Sequence, residues 1–435
     1  MARNLNTTDV YAIVNAMVED LTGQQSSIRV RDTSSFISAG ELVMSFPMEN
    51  VLNSLGLLMG RIFVAARPIG KGKWDLINAM NSGEYTSRFE KISFYSKKAL
   101  PSGAFNTDLF TNLKDGFTNG TNPDSDGTAQ STPSMWEQNP GIPLVMHFGG
   151  SSTWQECVTF YEVQLKYAFR SPSEFSSFIS GLLIEHENDI ELEKMAFRNA
   201  IVLNHIAGVY DMSTYMPGSV VNLTEAFNEK YYGSDTSSYL TSDQLRSTYL
   251  KEFLAFMVAR IKTDYRMLSH KGLNYHWSPA KTVNGVSYKL LRHTPRERLK
   301  AFMYGPLWTD AESMVFPEIF NDRYLDIGNF ERVDFWQNMD APASIDVYPA
   351  IPDADTSHTS TYGTQIKGSR VQLDYVVGCI FDADAMMTDF QIDRAVASPL
   401  EARKLYYNLW LTIRKNGIND FTENSIIYIM ADPTT

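Results

Sequence analysis

The stretch "SPSEFSSFISGLLIEHENDIELEKMAFRNAIVLNHIAG", Ser171–Gly208, decides how this chain is read. Ser171 fits an N-cap, Pro172 the first helical position and Glu174 the third residue of a capping box. Gly208 fits the residue just past a helix end, where a left-handed turn favours glycine. Unbroken from Pro172 to Ala207, the rod is roughly 54 Å long at ~1.5 Å per residue. Phe175, Phe178, Ile179, Leu182 and Leu183 make one apolar face; Leu192, Met195, Ala196, Val202, Leu203 and Ile206 make a second. The register shifts between them across the acidic waist "EHENDIELE", Glu185–Glu193. The halves are expected to pack on different layers or partners, with Phe175, Phe178, Leu182, Met195 and Leu203 as the packing side chains.

Upstream, "NTTDVYAIVNAMVEDLTG" sets Val10, Ile13, Val14, Met17, Val18 and Leu21 on one face of a short helix ended by Gly23. So short a helix needs another surface, its own chain's or a neighbour's. Residues 24–60 mix apolar runs with polar turns. "RIFVAARPIGKGKW" and "RFEKISFYSKKAL" predict outgoing strands and "GIPLVMHFGG" a returning one. Between them "KDGFTNGTNPDSDGTAQSTPS" has the composition of a binding loop or a disordered one. Downstream, "TSDQLRSTYLKEFLAFMVARIKTDYRML" predicts a helix. "LKAFMYGPLW", "DYVVGCIFD", "KLYYNLWLTIRKNG" and "NSIIYIM" predict strands, with Asn416-Gly417 as a turn between the last two.

The totals are those of a globular chain: 435 residues, 43% hydrophobic and 20% charged. A net charge of −12 argues against a general nucleic-acid binder, which needs a basic surface. "MARNLNTTDV" lacks the apolar core of a secretory signal, and "VLNSLGLLMGRIFVAA" is too short and polar to span a bilayer, so a soluble intracellular origin is expected. Cys157 and Cys379 lie in apolar strand-like contexts and are expected to be buried.

Catalytic signatures fail one by one. "RPIGKGKWD" has Arg67 and Trp74 where a phosphate loop needs glycine and a hydroxyl, so it reads as a basic, exposed strand tip. "NPDSDG" leads to Pro133 where a calcium loop needs glutamate. Asp382 and Asp384 in "DADAMMTD" could hold a metal in a glycan-active enzyme, but a solvated turn explains them as well. "EHENDIELE" contains no Glu-x-x-His pair and reads as a charge band. The seven histidines never pair at metal spacing, and no serine elbow occurs. No catalytic, cofactor or metal residue is assigned.

Two stretches carry a resemblance. "VTFYEVQLKYAFRSPSEFSSFISGLLIEHENDIELEKMAFRNAIV" (Val158–Val202) and "CIFDADAMMTDFQIDRAVASPLEARKLYYNLWLTIRKNGINDFTENSIIYIM" (Cys379–Met430) resemble the strand feeding the spine helix, and the closing sheet, of tailed-bacteriophage major capsid proteins with the Hong Kong 97-type fold. In pattern they come nearest the short-tailed phages of the phi-twenty-nine-like and crAss-like kinds. The resemblance implies an α+β fold: an N-terminal arm (1–60), an extended β-hairpin loop over a neighbouring subunit (61–155), a peripheral domain (156–212 and 380–435) on a spine helix (172–207), and an axial domain (213–379). It implies a structural protein, not an enzyme, without cofactors, that assembles with itself into pentamers and hexamers around double-stranded DNA. Scaffolding, portal and decoration proteins would be further partners, with no membrane, and any scaffold would be a separate chain. The location would be the virion capsid, built in the host bacterial cytoplasm. Lys71, Lys73, Arg88, Lys91, Lys97 and Lys98 would be the assembly partners of Glu185, Glu187 and Glu191. A glycan-active metalloenzyme and a carbohydrate-binding virion protein, the latter suggested by 12% aromatics, are the competing readings.

Overall fold

A computed structural model describes residues 7–23, 29–47, 50–52, 54, 74, 76–79, 88–96, 141–149, 152–279, 281–283, 286–314, 330–353, 365–401 and 403–432. Helices α1 (Thr7–Thr22) and α2 (Thr33–Ser45) come first. Gly23, at φ +67, ends α1 as its sequence predicts. Helix α2 corrects the expectation of polar turns in 24–60: Asp32 accepts from the Ser35 amide in a capping box, although Gly40 interrupts the apolar pattern. A Cβ at Gly40 would meet the Phe169 ring at 3.0 Å, so this glycine serves packing.

Strand β1 (Asn78–Ala79), the antiparallel ribbon β2 (Arg88–Phe94) and β3 (Pro143–Gly149), and strand β4 (Ser152–Tyr161) lead through the short helix α3 (Glu162–Ala168) into the long helix α4, Pro172–Asp211. Ser171 caps α4 by accepting from the Glu174 amide at 3.2 Å. At 40 residues it spans roughly 60 Å. The expected stop at Gly208 is corrected, since the helix passes through it to Asp211. Gly208 is required by a close neighbour instead: a Cβ there would lie 2.4 Å from the Phe421 ring.

The rest of the chain builds three short antiparallel pairs, β6 (Lys281–Val283) with β7 (Val286–Tyr288), β10 (Ile345–Val347) with β13 (Val371–Leu373), and β11 (Ala350–Pro352) with β12 (Gln365–Lys367), and two larger sheets. One is β5 (Val220–Asn222), β17 (Ser425–Ile429), β14 (Val376–Asp382), β8 (Leu299–Tyr304) and β9 (Phe330–Val333), in that spatial order. Every residue of β14 and β17 is buried, which explains their unbroken apolar runs. The other sheet has the order β1, β15 (Met386–Ala397), β16 (Tyr406–Asn419), β4. Two readings are corrected here. "LKAFMYGPLW" is a strand only to Tyr304, after which Gly305–Met314 is helical. Asn416-Gly417 is no turn but lies inside β16, and a Cβ at Gly417 would meet the Ile201 side chain at 2.3 Å.

The chain crosses between the sheets at 382–386 and back at 420–424, and the crossings bond to each other. The Asp382 amide donates to the Asn424 carbonyl at 3.0 Å, and the Asp420 amide to the Ala385 carbonyl at 2.8 Å. An expected domain boundary at 380 therefore falls inside β14, and β17 lies in the five-stranded sheet rather than with β15 and β16.

Helix α4 joins two cores. Its C-terminal third puts Ile201, Val202, Leu203, Ile206, Ala207 and Val209 into the large core around the five-stranded sheet. Its N-terminal end puts Phe175 and the half-buried Phe178 into a second core with Val10, Val14, Met17, Phe36, Phe160 and Leu409. The first helix thus finds its covering surface within its own chain. Among the described residues, no helix is long and apolar enough to cross a membrane.

Candidate functional site

The crossing loop 420–424 is where the ribbon, α4, both sheets and the 276–292 segment converge. Asp420 shapes it: Oδ1 accepts from the Thr422 amide at 2.8 Å and the Thr422 hydroxyl at 2.7 Å. Lys91, on the body-facing side of β2, donates to both Asp420 and Glu423. Arg292 lies 3.3 Å from Glu423, donates to the Thr422 carbonyl at 3.2 Å and to the Ser93 hydroxyl on β2 at 2.8 Å. Two cations and two anions thereby form a compact, largely buried cluster.

Electrostatics follow from that burial. Desolvation pulls the Lys91 ammonium down, but Asp420 and Glu423 together outweigh it and hold its pKa above the ordinary lysine value. Burial pushes the Glu423 carboxyl up, and Lys91 and Arg292 pull it back only in part. Two buried histidines flank the loop. His276 donates from Nε2 to the Leu290 carbonyl at 2.7 Å and meets Asn424 at 3.0 Å, and burial lowers its pKa. His205 on α4 stacks on Phe421, with centroids 5.5 Å apart, and burial drives its pKa down to about 4. A cavity of about 560 Å³ lies between the ribbon and the body.

A second anchor lies upstream of the ribbon. Trp74, read from sequence as part of an exposed tip, is fully buried edge-on against Phe302, with centroids 4.9 Å apart. Its φ is +72, a left-handed backbone that costs a non-glycine residue roughly 1–2 kcal/mol. Glu331 accepts from the Trp74 amide at 2.6 Å and the Leu76 amide at 3.3 Å. Lys300 donates to the Asn78 side chain at 2.6 Å.

The assembly residues chosen from sequence are placed as follows. Lys91 is engaged within its own chain, as above. Arg88 is in β2, and Glu185, Glu187 and Leu182 are in α4, with their side chains outside the described set. Glu191 faces Lys194 at 3.6 Å and Arg198 at 4.0 Å on its own helix. Lys71, Lys73, Lys97 and Lys98 lie outside the described residues. Met195 is half-buried. Asp420, Glu423 and Arg292 were missed, because their partner Lys91 is more than 300 residues from the two acids.

The metal reading of Asp382 and Asp384 meets an obstacle. Arg298 bonds both carboxylates, at 3.3 Å to Asp382 and more closely to Asp384. Asp382 Oδ1 also accepts from the Asp384 amide at 2.9 Å. A guanidinium thus stands where a cation would. Among the described residues, no group of three or more His, Cys, Asp or Glu could hold a metal. Cys379 is buried as expected, but Cys157 is exposed on β4, a correction that follows from the open outer face of that sheet.

No family model and no curated protein matches this chain. Among solved structures it is similar to a chain of the capsid of Staphylococcus phage Andhra, at 10% identity and a TM-score of 0.48, over 84% of this chain and 87% of that one. It is similar at 10% identity and a TM-score of 0.49 to a chain in the structure of head fiber and inner core protein gp22 of native bacteriophage P68, over 84% and 86%. A chain of the capsid of cyanophage P-SCSP1u is similar at 12% identity and a TM-score of 0.37, over 85% and 90%.

Proposed function

We propose that this chain is the major capsid protein of a tailed bacteriophage, a shell subunit that assembles with itself into pentamers and hexamers around double-stranded DNA. One observation carries the reading: the ribbon β2–β3 holds one face to the body and offers an apolar face outward. Across the register Ile92 faces Val145 and Phe94 faces Pro143. Ile92 is 58% and Phe94 63% exposed. Cross-strand apolar pairs exposed on a two-stranded ribbon mark a contact surface, and repeated copies of the chain can bury it.

In this reading the ribbon is the root of the extended loop. The four-stranded sheet with α4 is the peripheral part, and the five-stranded sheet with its helices is the axial part. Helices α1 and α2 close the peripheral layer from within the chain. The acidic waist of α4 faces basic groups of adjacent subunits, with Lys71, Lys73, Arg88, Lys97 and Lys98 as candidates, since Lys91 is held at home. The chain's net charge of −12 suits packaged DNA that must slide without adhering. Scaffolding and portal proteins as partners, and a host bacterial cytoplasm as assembly site, complete the proposal.

The test is sedimentation and negative-stain microscopy of the chain expressed with the other head proteins of its genome. Closed particles or ring-shaped capsomers are expected, and Ile92→Asp with Phe94→Asp should abolish them while leaving a folded subunit. A small, discrete oligomer under every assembly condition would reject the reading. Charge reversal at Glu185, Glu187 and Glu191 should impair assembly, and normal particles from that variant would remove the waist from the interface.

A further inference from the structure

The ribbon is joined to the body differently from the strands of the two larger sheets. Its body-facing side chains do not enter either main core. Tyr95, Leu144 and Met146 form a small satellite core with Leu290. Beneath it the packing is incomplete: the cavity of about 560 Å³ separates Leu144, Met146 and Phe148 on the ribbon from Phe197, Ile201 and Phe421 on the body. What ties the ribbon down across that gap is polar. Lys91 bonds Asp420 and Glu423, and Arg292 joins Glu423 to Ser93 on the ribbon.

The geometry points to a releasable latch: Lys91 and Arg292, closed on Asp420 and Glu423, hold the ribbon in its docked position, and the ribbon leaves the body as a unit while both sheets stay folded. A small satellite core beside a half-open cleft opens at far lower free energy than the continuous cores of β14 and β17. The cluster is balanced, two positive against two negative. Removing one member strands a buried charge, whereas removing one of each sign keeps the balance. The latch is a property of the single chain and holds whatever the chain assembles into.

Amide hydrogen exchange on the dilute full-length chain tests it, read at ribbon amides 89–95 and 144–148 and, as reference, in β14 and β17. In the wild type the ribbon should exchange at least about a hundredfold faster than the reference strands, as an element opening on its own does. Lys91→Met should speed ribbon exchange a further tenfold or more, roughly, by leaving the two acids facing Arg292 alone. Lys91→Met with Glu423→Gln leaves one charge of each sign but no Lys91 bond to the ribbon, so ribbon exchange should stay within about threefold of the Lys91→Met rate while the reference strands keep their wild-type protection. Ribbon exchange unchanged by Lys91→Met, or restored to the wild-type rate in the double variant, would overturn the latch. If Lys91→Met fails to fold, the wild-type comparison decides: a ribbon that exchanges no faster than β14 is not a separate unit, and the proposal fails.

Discussion

The two ends of helix α4 are buried in different cores. At the C-terminal end, Val202, Ile206, Ala207 and Val209 are each at most 1% exposed. They lie against the buried five-stranded sheet. At the N-terminal end, Phe175 meets Phe169, six residues back, and Phe36 on α2, with ring centroids 5.0 Å and 5.8 Å away. Between them Leu192 is 65% exposed. One end is therefore set by a buried sheet and the other by short helices closing over the four-stranded sheet, both through contacts distant in sequence. A single rod carries both because its two apolar faces are out of register.

That contrast breaks most severely at Gly378. A Cβ there would lie 2.6 Å from the Phe302 carbonyl oxygen in the neighbouring strand, and backbone cannot step aside. Gly378→Val should give no soluble folded chain, checked by yield and circular dichroism. Next, Phe302→Ala and Phe36→Ala remove equal chemistry from the two cores, each at a cost of about 3–5 kcal/mol. Phe302→Ala should lower one cooperative denaturation. Phe36→Ala should melt the N-terminal layer first, leaving β14 and β17 protected from exchange.

His205 gives a smaller and pH-dependent effect. Its folded pKa of about 4 lies below the ordinary 6.5, so between those values the unfolded chain holds a proton the folded chain refuses. Stability is complete above pH 6.5 and falls toward pH 4, by about 3 kcal/mol from this group. His205→Leu should flatten that fall in denaturant titrations taken at several pH values; an unchanged slope would deny the group its role. Smallest of all, Leu192→Lys should shift subunit stability by less than about 0.5 kcal/mol, since the Leu192 side chain is largely in water.

Much of this was legible in the sequence for local reasons. The cap at Ser171 and Pro172, the stop at Gly23 and the apolar runs of β14 and β17 are signals contained in a few adjacent residues. Glycine misled wherever its cause was distant. Gly208 and Gly417 read as punctuation, yet each makes room for a side chain from another element, Phe421 and Ile201 respectively. Gly40 masked α2 in the same way. Trp74 was hidden by its Gly-Lys neighbours, though a tryptophan in so polar a stretch was itself a signal of an anchor. The ion cluster left no local trace, since Lys91 meets Asp420 only after the ribbon and both sheets have formed.

The account rests on α4 being one continuous strut between two cores. Its direct test is a spin-label distance between Ser173→Cys and Tyr210→Cys, both exposed positions, in a Cys157→Ser background. Cys379 stays unlabelled, being fully buried with its thiol pushed up to about 12. An unbroken helix predicts one narrow distribution near 55 Å, at ~1.5 Å per residue. A broad or clearly shorter distribution would mean the rod is broken at its acidic waist, and would contradict the account.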